Sequence, residues 1–65
     1  MYEKAIRNRN EKYKRLYVEQ AREAWSDRKF TVVYNSYIKA AMYASSTAET
    51  QRFLELAVLA EAMRP

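Results

Sequence analysis

Residues 30–44 read FTVVYNSYIKAAMYA and carry one charge, Lys39, in a 65-residue chain of which 31% is charged. Phe30, Val33, Tyr34, Tyr37, Ala40, Ala41 and Ala44 recur there at three- and four-residue spacing, which is one face of an α-helix. This is the expected central helix, against which the flanking segments pack. Ala40, Ala41 and Ala44 are small enough to let a neighbouring helix approach closely. Tyr34 and Tyr37 need partners for their hydroxyls, which places them at the edge of the buried surface.

The composition around this stretch agrees. Glycine is absent and the one proline is Pro65. Sheets and hairpins depend on Gly, Pro, Asn and Asp at their turns. A chain without that punctuation, and rich in Ala, Glu, Lys, Arg and Leu, is helical. With 49% hydrophobic and 14% aromatic residues it is too apolar for a disordered tail. It is one small domain spanning residues 1–65.

Upstream, residues 2–25 form a long amphipathic helix. Tyr2, Ile6, Tyr13, Leu16, Tyr17, Gln20 and Ala24 fall on one side, with Lys4, Arg7, Glu11, Lys14, Arg15 and Arg22 on the other. Arg9 interrupts the apolar side, so the core is expected to thin there. The second helix is expected over residues 28–44. Ser26 as its N-cap would set Trp25 and Phe30 in a hydrophobic staple, and Thr31 is the rival cap. Downstream, Ser46-Thr47-Ala48-Glu49 fits the capping box, and a third helix follows over residues 47–64. Its Leu56, Leu59, Ala60 and Met63 share one face, with Phe53 at the edge.

Phe30-x-x-Val33-Tyr34-x-x-Tyr37-x-x-Ala40-Ala41, preceded by Ala21-x-x-Ala24, resembles the second helix of tetratricopeptide and MIT-type hairpins. Those hairpins usually carry a glycine in the turn, where this chain has Asp27-Arg28-Lys29. The pattern is generic to packed helices, and the resemblance implies only that the first two helices form an antiparallel hairpin.

Function is approached by elimination. With no cysteine or histidine, disulfides, thiolate metal sites and the commonest zinc ligand are excluded. No glycine-rich phosphate loop is present, and Ser26, Ser36, Ser45 and Ser46 have no base beyond the lysines. Glu19, Glu23 and Asp27 line one side of the first helix but are too few oxygen ligands for a hard cation. The expectation is therefore no enzyme, no metal and no cofactor. Residues 1–15 are too densely charged for a signal peptide, and no run approaches the ~20 apolar residues of a membrane span. The expected address is the cytoplasm of the producing or host cell, with no membrane partner.

Two features remain. A core in a chain this short rarely supplies more than about 3–5 kcal/mol, and oligomerisation is the one reinforcement left to it. Val18 and Trp25 on the first helix, Val32 and Tyr43 on the second, and Leu54 and Val58 on the third lie outside the main apolar stripes. Surplus apolar surface of that kind usually marks an interface. The expected protein is thus an all-α three-helix homodimer, a small regulatory or accessory factor of phage or bacterial type that works through protein contacts. The alternative is a nucleic-acid or acidic partner held by Lys4, Arg7, Arg9, Lys12, Lys14 and Arg15, since the chain is +4 overall. Charge runs are ordinarily solvated faces, which makes this the weaker reading.

Overall fold

The computed structural model describes residues 2–64, with side chains from Asn10 onward. It is all-helical, with α1 (Tyr2–Ser26), α2 (Phe30–Met42) and α3 (Thr47–Met63), and no strand among the described residues. Tyr2, Ile6 and Arg9 of the expected α1 pattern lie outside the described side chains.

α2, whose one charged residue is Lys39, is the centre of the packing. It contacts both α1 and α3, whose backbones do not come close to each other among the described residues. The chain is accordingly flattened, with extents of 46 × 20 × 12 Å. Contacts along the first two helices run in opposite order. Trp25 meets Phe30 edge-on at 5.5 Å, while Tyr17 stacks on Tyr43 at 6.0 Å and Tyr13 lies 5.4 Å from the same ring. Lys39 Nζ sits 5.6 Å over the Tyr17 ring.

The core consists of Val33, Tyr37 and Ala40 of α2 with Ala21 and Ala24 of α1 and Ala57 and Ala60 of α3. Tyr37 stacks on Phe53 with ring centroids 6.1 Å apart. Val33, Tyr37 and Ala40 of the expected α2 face are buried, but Tyr37 lies in the core where an edge position was expected, and Ser36 beside it is buried as well. Both flanking helices, however, are rotated from their expected faces. On α1, Leu16 is exposed while Ala21 is fully buried; on α3, Leu59 and Met63 are exposed while Ala57 is fully buried. The reason is steric: an alanine pair lets each outer helix approach α2 closely, and the larger side chains are displaced to the flank of the contact. A helix wheel weighted by side-chain size points at the flank instead.

The junction between α1 and α2 also differs from the expectation. Ser26 is the last residue of α1, not the cap of α2, and α2 spans 30–42 where 28–44 was expected. Lys29 N–H donates to the Ala24 carbonyl at 2.8 Å and Arg28 N–H to the Trp25 carbonyl at 3.0 Å. That pair of bonds is a Schellman closure of α1. It requires a left-handed residue at Arg28, which has φ 58°. The chain therefore stays in the closing loop until Lys29, which precedes α2 without a side-chain cap. The Trp25–Phe30 contact forms nonetheless, one residue pair bracketing the loop. At the other end of α2, Tyr43 N–H and Ala44 N–H reach back to the carbonyls of Ala40 and Ala41, and this tightened turn ends the helix at Met42.

The start of α3 is capped as expected at Ser46, whose Oγ accepts from Glu49 N–H at 3.1 Å. The return bond goes one residue further back: Glu49 Oε1 accepts from Ser45 N–H at 2.9 Å.

Candidate interaction groove

Because the backbones of α1 and α3 flank α2 without approaching each other closely, a furrow is left between them. It includes an open depression of about 380 Å³ lined by Arg22, Trp25 and Ser26 of α1, Tyr37 of α2, and Leu56 and Leu59 of α3. A second depression, lined by α1 alone, lies beside it at Lys14, Arg15, Val18, Glu19 and Arg22. Arg22 is common to both. Tyr37 forms the floor because it is held in the core; Trp25 and Leu59 form walls because the alanine contacts of their helices push them aside.

One end of the furrow is bridged. Lys14 Nζ bonds Glu49 Oε1 across the gap at 3.0 Å and Glu11 Oε1 on its own helix at 2.7 Å. Its side chain is only 12% exposed. The Lys14 ammonium is pushed above its ordinary pKa, chiefly by the bond to Glu11 and further by Glu49, with burial opposing. The Glu49 carboxyl is held below its ordinary value, first by the Ser45 N–H and then by Lys14.

The mouth of the furrow carries free positive charge. Arg15, Arg22 and Arg52 are exposed, and none makes an ion pair among the described residues. Arg52 stands four residues before Leu56 and seven before Leu59, on the same side of α3. Glu19 is the one carboxylate in the lining that Lys14 does not engage.

The six residues singled out as surplus apolar surface do not form one patch. Val18 is half-buried and lines the furrow, and Trp25 lines it at 37% exposure. Tyr43 is half-buried in the tyrosine cluster. Val32, Leu54 and Val58 are exposed but line no part of the furrow, Val58 most of all at 65%. Leu56, Leu59, Arg22 and Tyr37 were not anticipated as site residues. The signal available for them was Ala57-x-x-Ala60: a tight alanine contact implies that its large neighbours stand beside the contact and not within it.

Of the basic residues, Lys12 and Arg15 are exposed, Lys14 is engaged with two carboxylates, and the side chains of Lys4, Arg7 and Arg9 lie outside the described residues. No described helix is long and apolar enough to cross a membrane. Among the described residues, no three His, Cys, Asp or Glu side chains gather closely enough to hold a metal ion. No known protein family, curated protein or solved structure matches the chain.

Proposed function

We propose that this is a small, non-enzymatic helical interaction protein, a regulatory or accessory factor that acts by docking its exposed apolar faces on other protein surface. α1 and α2 form an antiparallel hairpin, with Trp25 and Phe30 at its closed end and Tyr17 and Tyr43 towards the other, and α3 packs on the free side of α2. The observation that carries the reading is where the apolar bulk lies. Alanines supply most of the buried positions, while Trp25, Val32, Leu54, Val58, Leu59 and Met63 stay exposed. A core of that kind buries little area per residue, and surface apolar groups in such number are ordinarily covered by a partner.

Self-association as a homodimer through Val32, Leu54 and Val58 is part of this reading. Sedimentation tests it. Val32→Asp and Val58→Asp should lower the apparent mass, because each would set an unpaired charge in a covered surface. A parent that is monomeric at high micromolar concentration, with both variants melting as it does, would remove the dimer. Nucleic acid is less well supported, because the Lys14 ammonium is committed to Glu11 and Glu49. Binding to DNA or RNA that weakens steeply with salt would restore it.

A further inference from the structure

We infer that the furrow between α1 and α3 receives an acidic amphipathic helix from a partner protein, apolar side chains inward and Asp or Glu along its flanks. This rests on the interaction reading above and names the partner's chemistry. The shape argues for a helix. The furrow runs alongside α1 from Lys14 to Ser26, about 18 Å at ~1.5 Å per residue, which matches roughly three turns of a docked helix. At Trp25 the walls come from α1 and α3 over the Tyr37 floor, and further along α1 supplies one wall; a helix fills such a trough when its side-chain ridges settle between neighbours. The lining supplies the apolar anchor points: Trp25, Leu56 and Leu59 around the Tyr37 floor, with Val18 further along.

The charges argue for acid. Arg15 and Arg22 on one wall and Arg52 on the other border these apolar positions with no carboxylate partner. Arg side chains at a partly desolvated rim select carboxylates by geometry and repel a basic helix. Glu11 and Glu49, which would oppose an acidic helix, are both bonded to Lys14, leaving Glu19 as the only unengaged carboxylate in the lining. The dimer surfaces Val32, Leu54 and Val58 are not among the lining residues, so self-association and this partner do not compete.

Trp25 is the chain's single tryptophan and stands in the furrow wall, so its fluorescence reports occupancy. The probes are two synthetic helical peptides of about 18 residues, long enough to cover the furrow, with one leucine pattern and flanks of either glutamate or lysine. The Leu/Glu peptide should shift Trp25 emission and bind more weakly as salt rises; the Leu/Lys peptide should not bind. Arg22→Glu should weaken the Leu/Glu peptide about tenfold, the scale of losing a close charge pair. Leu59→Asp should abolish binding. Asn35→Asp, at an exposed position of α2 outside the lining, should bind as the parent does, and circular dichroism melts identify any variant that has lost its fold. Failure of the Leu/Glu peptide to bind at millimolar concentration overturns the inference, as does indifference to Arg22→Glu. Equal binding of both peptides, lost in Leu59→Asp, overturns the acidic assignment and leaves the interaction reading standing.

Discussion

Lys14 Nζ on α1 lies 3.0 Å from Glu49 Oε1 on α3, a bond between helices that are 35 residues apart in sequence at that point. The same oxygen accepts Ser45 N–H at 2.9 Å and Ser45 Oγ at 3.2 Å. One carboxylate oxygen therefore serves both the entry to α3 and the only ion pair joining the outer helices among the described residues.

Stability should consequently fall in acid in a way traceable to Glu49. Its folded pKa lies below 4.5, so the charged form contributes fully above that value and is lost as pH falls through the lower folded one. Lys14 behaves oppositely: raised above 10.5, it contributes below that value and is lost only as pH rises through the folded one. Urea midpoints measured from neutral pH into acid should drop more steeply for the parent than for Glu49→Gln. Parallel curves would show that the carboxylate is not linked to folding.

Arg28 occupies the left-handed position of the Schellman closure, at φ 58°. A side chain with a Cβ costs about 1 kcal/mol there relative to glycine. Arg28→Gly should raise stability by roughly 0.5–1 kcal/mol, a melting shift of about 2–8 °C in a domain this small. Arg28→Val should lower it, since a β-branched residue is least tolerated at positive φ. Thermal melts of the two variants against the parent check the sign.

Ser46 Oγ caps Glu49 N–H at 3.1 Å. Ser46→Ala removes that acceptor and should cost about 1 kcal/mol, whereas Ser46→Asp, which keeps an acceptor at the positive end of the helix, should cost little. Chemical denaturation separates the two.

Ala57 is fully buried while Leu59, two residues away, is 48% exposed. Ala57→Leu should push α3 off α2 and cost about 1–3 kcal/mol. Leu59→Gln should change the stability of the isolated monomer by no more than about 0.5 kcal/mol. Equal effects would mean that the alanine contact is not the close point of the interface.

The readable parts of the fold were those written in local chemistry. The α2 face from Val33 to Ala40, the Ser46 cap and the absence of strands follow from spacing and composition. The rotation of α1 and α3 does not, because a wheel ranks Leu16 and Leu59 above Ala21 and Ala57 by hydrophobicity, while close packing ranks them by size. The end of α1 was hidden for a related reason: nothing local marks Arg28 for the left-handed conformation, which tertiary closure onto Phe30 selects. The furrow inherits this opacity. Trp25 and Val18 could be singled out from α1 alone, but Leu56 and Leu59 join them only once the alanine pairs have fixed how the outer helices are turned. Lys14 looked like a solvated charge because its partner Glu49 lies in another helix.

With Lys14–Glu49 the one hydrogen bond or ion pair between α1 and α3 among the described residues, the two arms behave as a clothes-peg. The jaw at Trp25 and Leu59 is held only through α2, so its gape can adjust to an incoming side chain without breaking a direct bond between the arms. A ligand seated there would act as a wedge, and its bulk rather than the empty protein would set the final spacing of the jaw.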